Sequence, residues 1–179
     1  MPFIETFIRG LKIFEPQIWE DERGYFYESY NKNTFVAADI HVDFIQDNQA
    51  KSSYGVLRGL HFQTGDWAQT KLVRVISGEV FDVAVDLRKD SVTYGKWAGV
   101  LLSGENKKQF LVPRGFAHGY VVLSKNAIFS YKCDNFYSKA HEGGIRFDDP
   151  VLAIDWHIAP HEAILSEKDK MLPFFSPLS

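Results

Sequence analysis

The sequence predicts a mainly β protein, folded as a double-sheet jelly roll or small barrel with a few short helices. Many short apolar runs are separated by turn residues, and almost no segment has the 3.6-residue period of a helix. The two-residue period is clearest at residues 81–87, where apolar side chains stand at odd positions and Asp82 and Asp86 at even ones. A fold of this cupin type can hold a ligand in its interior.

The first part of the chain is expected to contain a strand, a turn and a second strand within residues 11–30. Pro16 and the polar cluster at residues 20–24 interrupt the apolar runs there. Residues 33–40 form the first plausible helix, about two turns long, with Asn33 or Thr34 as its cap.

Eight short strands are expected in close succession after this helix. Their predicted bounds are 44–48, 55–63, 71–76, 79–88, 96–102, 109–112, 118–123 and 127–134. Turn residues separate them at positions 77–78, 103–104, 113–115 and 125–126. Only the part after Pro160 is helical in pattern, where Ser166 to Asp169 have the form of a capping box.

Bulk properties limit the classes of protein that the chain can belong to. The 179 residues suffice for one domain over residues 1–179, and the net charge of -3 argues against binding nucleic acid by phosphate neutralisation. Cys133 is the single cysteine, which excludes an internal disulfide and fits a reducing compartment. The charged start of the chain is unlike a signal peptide, and no stretch approaches the ~20 apolar residues of a membrane span. We therefore expect a cytoplasmic protein without a membrane partner.

The segment at residues 46–63 places unusual polar groups in a predicted strand. Arg58 and His61 stand beside Leu57, Leu60 and Phe62, and burying such groups without partners costs several kcal/mol. A bulge at the intervening glycine would let both polar side chains turn inward. The segment therefore predicts either tight pairing or a ligand.

Other polar side chains are predicted on the inner faces of neighbouring strands. Alternation places Tyr131 inside, and Lys71 and His118 also share faces with apolar residues. Each has an ordinary structural explanation: a core histidine for His61, a core tyrosine for Tyr131, a solvated lysine for Lys71, a capping residue for Asp169. Their convergence on the interior of one barrel favours an active site.

A metal site is a natural alternative for this fold, but the ligand set is incomplete. Residues 113–118 match half of a cupin metal pattern, P-x-G-x-x-H. Gln63 stands where the second histidine of a pair is needed, which leaves His61 and His118 short of three protein ligands. We expect a pocket that works without metal or other cofactor.

The sequence resembles the dTDP-4-dehydrorhamnose 3,5-epimerase family of nucleotide-sugar epimerases from about residue 10 to residue 169. The segments that carry the resemblance are DERGYFYESY, QDNQAKSSYGVLRGLHFQ, KLVRVISGEVFDVAVDLRKDS, PRGFAHGY, YKCDNFY, GIRFDDP and LSEKD. The resemblance implies a homodimeric jelly roll without cofactor, which acts on dTDP-4-dehydro-6-deoxy-glucose.

The resemblance also implies roles for individual residues. His61 matches the catalytic base, Asp169 its carboxylate partner, Tyr131 the acid, and Lys71 a group near the keto oxygen. Substrate contacts are implied at Arg23, Glu28, Gln46, Asn48, Arg58, His118, Glu142 and Lys168. Phe26 and Tyr137 are candidates for stacking on thymine. Tyr137 also stays open as an alternative acid, as does the question of which subunit supplies Arg23 and Glu28.

The chain departs from the family pattern outside the catalytic positions, and these departures leave alternatives open. Arg114 stands where the family commonly has glutamate, Phe62 replaces a frequent tyrosine, Trp156-His157 interrupts a common Trp-Pro, and the segment SKAHE at 138–142 is atypical. The leading hypothesis is inversion at both C3 and C5. The alternatives are a mono-epimerase for a related 4-keto nucleotide sugar, a metal-dependent cupin and a non-catalytic sugar-nucleotide binder.

Overall fold

The computed structural model describes residues 2–176, which form thirteen strands and two short α-helices. The strands are β1 (Phe3–Glu5), β2 (Lys12–Phe14), β3 (Ile18–Asp21), β4 (Gly24–Tyr27), β5 (Gln46–Ser53), β6 (Leu57–Gln63), β7 (Lys71–Ser77), β8 (Glu79–Asp86), β9 (Trp97–Ser103), β10 (Gln109–Val112), β11 (Phe116–Val122), β12 (Asn126–Cys133) and β13 (Glu142–Gly144). The α-helices are α1 (Lys32–Ala37) and α2 (Glu167–Lys170). Single 3-10 turns lie at Gly65–Trp67, Lys139–His141 and Pro160–Glu162.

The strands form two large antiparallel sheets and a separate hairpin. The six-stranded sheet has the order β1-β2-β10-β7-β12-β5, and the five-stranded sheet has the order β13-β6-β11-β8-β9. In the part of the chain that the structure describes, strands β3 and β4 pair only with each other. The mainly β, cupin-type jelly roll predicted from the sequence is confirmed.

Three apolar clusters explain how the layers are held together. The largest lies between the two sheets and includes Val75, Ala84 and Phe129. A second covers the outer face of the five-stranded sheet, where Val83 packs with residues of the chain after β13, and a third packs α1 on the outer face of the six-stranded sheet. Strand β8 is therefore buried on both faces, and its odd and even positions belong to different layers.

Several details differ from the sequence predictions. Residues 11–30 contain three strands, β2, β3 and β4, where two were expected, and β1 and β13 were not predicted. Helix α1 is capped by Asn31, whose side chain accepts a hydrogen bond from the Asn33 amide, so that the predicted caps Asn33 and Thr34 are wrong. Strand β5 extends through Ser53, although its second half is polar, because alternate residues face solvent. Within residues 2–176, the helices are all too short or too polar to cross a bilayer.

Candidate active site

A cavity of about 420 Å³ opens between the two sheets. Strands β6 and β11 supply one wall, β5, β7 and β12 supply the other, and the segment around α2 closes one side. Its polar lining includes Arg58, His61, Lys71, His118, Tyr131 and Asp169. The predicted convergence of these side chains in the interior is therefore confirmed as geometry.

A bulge in β6 turns both Arg58 and His61 into the cavity. His61 pairs with His118, and Arg58 pairs with Tyr120. Two residues of β6 therefore lie between the paired positions, opposite a single residue of β11. Gly59 lies in the bulge with φ of 137°, and a Cβ there would stand 2.5 Å from the Cα of Gly119. Only glycine fits this close approach, and the predicted bulge is confirmed.

His61 forms a close pair with Asp169. The distance between His61 Nε2 and Asp169 Oδ1 is 2.6 Å, and Asp169 is 4% exposed. Ser166 caps α2 by accepting a hydrogen bond from the Asp169 amide at 3.1 Å, which fixes the carboxylate at the start of the helix. Burial alone would raise the pKa of Asp169, but the hydrogen bond with His61 and the charges around it hold that pKa below its usual value. Asp169 is therefore an ionised partner for the imidazole.

Tyr131 and Lys71 lie on the opposite wall. Tyr131 is on β12 and packs against the central apolar cluster, and Lys71 Nζ is 6.0 Å from the centre of its ring. Burial raises the pKa of the Tyr131 hydroxyl, which keeps it protonated as a possible acid. Burial lowers the pKa of Lys71, because the charged form is desolvated. The cavity thus holds the His61–Asp169 pair on one wall, with a protonated phenol and the Lys71 amine facing it.

A second imidazole–carboxylate pair lies beside Lys71. His118 Nε2 is 2.8 Å from Asp82 Oδ1, and the Asp82 side chain is fully buried. The other oxygen of Asp82 has no hydrogen-bond partner within residues 2–176. Burial raises the pKa of Asp82, and the nearby His118 and Lys71 oppose that rise. Sequence reasoning missed this role, although an acid between Phe81 and Val83 in a buried strand was a usable signal.

Three of the predicted substrate-contact residues are linked by polar contacts at one edge of the cavity. The Tyr137 hydroxyl donates a hydrogen bond to Glu142 at 2.8 Å, and Glu142 forms an ion pair with Lys168, which lines the cavity. Tyr137 is 53% exposed, so it is placed less like an internal acid than Tyr131 is.

Two other predicted contacts lie on β5 in line with the cavity wall. Gln46 and Asn48 point to the same face as Ala50, which lines the cavity. Gln46 Nε2 donates to Asn48 Oδ1 at 2.9 Å, and Asn48 approaches Cys133 Sγ at 3.9 Å. Their amide groups are therefore ordered by local contacts next to the site.

Three predicted contacts stand apart from the cavity of their own chain. Arg23 lies in the β3–β4 turn and pairs with Asp21, Phe26 is 67% exposed, and Glu28 accepts a hydrogen bond from Asn31. None of these three lines the cavity among residues 2–176. If they contact the substrate, the hairpin must act on a different pocket or move.

Comparison with known proteins decides the family. The model of the dTDP-4-dehydrorhamnose 3,5-epimerase family matches residues 5–177. The chain belongs to this family.

Similar proteins cover nearly all of the chain. The dTDP-4-dehydrorhamnose 3,5-epimerase of Shigella flexneri is 54% identical over 170 residues, which are 94% of this chain and 93% of that protein. The crystal structure of the enzyme of that name from Elizabethkingia anophelis NUHP1 is 57% identical with a TM-score of 0.92, over 97% of this chain and 95% of that one. The dTDP-6-deoxy-D-glucose-3,5-epimerase of Legionella pneumophila, solved with dTDP-4-keto-L-rhamnose, is 48% identical with a TM-score of 0.89, over 98% of each chain.

Gln63, which stands in place of a metal-binding histidine, and Arg114, which departs from the family pattern, both form local polar contacts. Gln63 Oε1 accepts a hydrogen bond from the Ser138 amide at 3.0 Å, and so holds the segment 138–142 against the end of β6. Arg114 pairs with Asp134 at 3.1 Å instead of presenting a free charge. Across residues 2–176, no group of three or more His, Cys, Asp and Glu side chains is arranged to hold a metal ion.

Proposed function

We propose that this protein inverts C3 and C5 of dTDP-4-dehydro-6-deoxy-D-glucose, giving dTDP-4-dehydro-L-rhamnose. The observation that carries the proposal is the His61–Asp169 pair at 2.6 Å, which faces Tyr131 and Lys71 across one cavity. Inversion next to a ketone requires a base on one face of the sugar and an acid on the other. The names and bound ligand of the similar proteins support this substrate.

His61 removes the proton in the proposed mechanism. One ring nitrogen donates its hydrogen to Asp169, which leaves the other ring nitrogen to accept a proton from the carbon beside the ketone. The ionised Asp169 fixes this tautomer and stabilises the imidazolium that forms. The electron pair of the broken C–H bond passes into the enolate, whose negative charge rests on the ketone oxygen.

Lys71 and Tyr131 complete the reaction. The Lys71 ammonium stabilises the enolate oxygen, and one such preorganised donor is worth about 3 to 4 kcal/mol. The Tyr131 hydroxyl then donates a proton to the face opposite His61, which inverts the carbon. Solvent returns a proton to Tyr131 and accepts one from His61, and the same groups act on the second carbon in a further cycle.

We propose that the nucleotide is bound at the edge of the cavity in a homodimer. Arg58 offers a guanidinium for the diphosphate, and Tyr137 and Phe26 are flat partners for thymine. The exposed aromatic side chains of the β3–β4 hairpin, Trp19, Tyr25 and Phe26, favour burial against a second subunit. In this arrangement the hairpin of one subunit brings Arg23, Phe26 and Glu28 to the pocket of the other. The single cysteine favours a cytoplasmic location.

Deuterium exchange tests the proposed function directly. The protein is incubated with dTDP-4-dehydro-6-deoxy-D-glucose in heavy water, and C3 and C5 are followed by NMR. We expect deuterium at both carbons together with the inverted product. Deuterium at one carbon only would contradict the double epimerase in favour of a mono-epimerase, and a folded protein that catalyses no exchange would refute the assignment for this substrate.

A further inference from the structure

Tyr120 lies in the cavity wall with a hydroxyl group that the fold leaves unsatisfied. The residue is 5% exposed and lines the cavity two positions after His118 on β11. Its ring stacks on Phe129 with centroids 4.0 Å apart and an angle of 16° between the planes. Packing thus explains the ring, but the hydroxyl oxygen has no hydrogen-bond partner in the described part of the chain. A buried hydroxyl without a partner is unfavourable, and here its partner must come from outside the described chain.

The nearest polar neighbours of this hydroxyl are hydrogen-bond donors. Tyr120 is the cross-strand partner of Arg58, whose Nε donates to Ser52 Oγ at 3.2 Å. That is the one side-chain hydrogen bond of Arg58 within residues 2–176, so its terminal nitrogens have no acceptor there. Burial raises the pKa of Tyr120 more than Arg58 and Ser52 lower it, which keeps the phenol protonated and able to donate.

Neither of the neighbouring acceptors, Ser52 Oγ and the Asp82 carboxylate, forms a hydrogen bond with the hydroxyl within residues 2–176. Asp82 is the partner of Tyr120 on β8, and its Oδ2 also has no hydrogen-bond partner in the described residues. The two groups stand side by side without bonding to each other. The donors of Tyr120 and Arg58 are therefore both left for an acceptor from outside the chain.

We infer that Tyr120 is a further substrate-contacting residue, whose hydroxyl donates a hydrogen bond to a diphosphate oxygen of the nucleotide sugar held by Arg58. A diphosphate supplies several negatively charged acceptor oxygens, which is what a guanidinium beside a phenol requires. The inference rests on the proposed function, because it takes the nucleotide sugar as the ligand of the cavity.

The substitution Tyr120→Phe tests this contact, since it removes the hydroxyl and keeps the ring stacked on Phe129. We expect the Kd for dTDP, measured by calorimetry, to rise about tenfold, as for one hydrogen bond to a charged group. The KM for the nucleotide sugar should rise by a similar factor, while kcat stays within about twofold because the reacting carbons are not touched. Tyr94→Phe is the matched control, since Tyr94 is half-buried and lies outside this cavity.

A double-substitution cycle with Arg58→Met separates a shared diphosphate site from two independent effects. If both residues hold the same group, the Kd increase of the double variant should be smaller than the product of the single increases. Unchanged dTDP binding in Tyr120→Phe, or a weakening that is equal for thymidine without phosphates, would overturn the inference. If the wild-type protein exchanges the C3 and C5 protons in the same assays, such a result counts against the role of Tyr120 and not against the proposed function.

Discussion

Burial sets the protonation states of the groups that face each other in the cavity. It raises the pKa of Tyr131 and lowers the pKa of Lys71, while the contact with His61 keeps the pKa of Asp169 low in spite of its burial. A protonated phenol and a carboxylate can therefore coexist in the cavity that His61 also lines. This combination is what proton removal and return require.

Replacing His61 tests the assigned base. We expect His61→Ala to lower the rate of deuterium exchange at C3 and C5 by about 10² to 10⁴-fold, because a general base is lost. The Kd for dTDP should change little, since the imidazole faces the sugar. His41→Ala is the control, because His41 is exposed and pairs with Asp39. An equal loss of exchange and of dTDP binding would mean that His61 has a structural role instead.

The alkaline side of the pH profile tests Lys71. Its pKa is lowered in the folded protein, so it loses its charge at a lower pH than the value of about 10.4 for an exposed lysine. The pKa of Tyr131 is raised, so its ionisation comes later. We expect kcat/KM to fall as the pH rises through the lowered pKa of Lys71. In Lys71→Arg the rate should be lower at every pH, and this fall should disappear because guanidinium stays charged; an unchanged fall would assign it to another group.

Sequence reasoning found most of these residues because strand alternation fixes the face of each side chain. It placed Tyr131, Lys71 and His118 inside without any structure. It did not find the pairing of Asp82 with His118, since the register between β8 and β11 is a long-range property. It likewise could not show that the Tyr120 hydroxyl is unsatisfied, because that depends on every neighbouring strand.

At the level of elements, the strands were predicted well and the helices less so. Apolar alternation between turn residues predicted the bounds of most strands after α1 to within two residues, although β1 and β13 were missed. The position of Gly59 between Arg58 and His61 indicated the bulge. The polar second half of β5 was missed because neither face gives a strong apolar signal. Helix α1 has only six residues, and its cap is decided by which asparagine can reach a free amide.

The end of β8 offers a stability test, since Asp86 organises the turn that leads to β9. Its carboxylate accepts hydrogen bonds from Arg88, Ser91 and Thr93, and its side chain is fully buried. Burial opposes ionisation, but these hydrogen bonds prevail and lower the pKa of Asp86 to about 2. The stabilisation is therefore complete above the unfolded pKa of about 3.9 and is lost as the pH falls towards 2.

We expect Asp86→Asn to lower the free energy of unfolding at pH 7 by about 2 to 4 kcal/mol, measured with urea. The difference from wild type should shrink between pH 4 and pH 2, where the wild-type carboxylate becomes protonated. Asp90→Asn, at an exposed position of the same turn, should have little effect. A difference that stays constant down to pH 2 would show that charge is not the source of the stabilisation.

At the level of the whole molecule, the packing of a single subunit does not explain the exposed side chains of the β3–β4 hairpin. Its aromatic side chains are exposed, and its Arg23 is not part of the cavity lining among residues 2–176. Neither the sequence nor one subunit's packing determines where such a hairpin docks, because that depends on a second surface. The symmetric dimer that we propose, in which hairpins exchange pockets, would account for both features.

Mixing two inactive variants tests this exchange. His61→Ala removes the proposed base from the pocket and keeps the hairpin, whereas Arg23→Ala removes a proposed substrate contact from the hairpin and keeps the base. After unfolding and refolding together, half of the dimers are mixed, and each has one pocket with both parts intact. We expect recovery to roughly a quarter of wild-type activity. Activity no higher than the average of the two separate variants would show that each hairpin serves its own subunit or none.

The most direct test of the proposed mechanism is the fate of deuterium in Tyr131→Phe, with C3 and C5 followed by NMR in heavy water. The variant keeps His61, Asp169 and Lys71 but lacks the hydroxyl of the opposite wall. We predict that the substrate still acquires deuterium, because His61 removes and returns a proton on the same face, and that inverted product does not accumulate. Inversion at the wild-type rate would contradict the assignment of His61 and Tyr131 to opposite faces of the sugar.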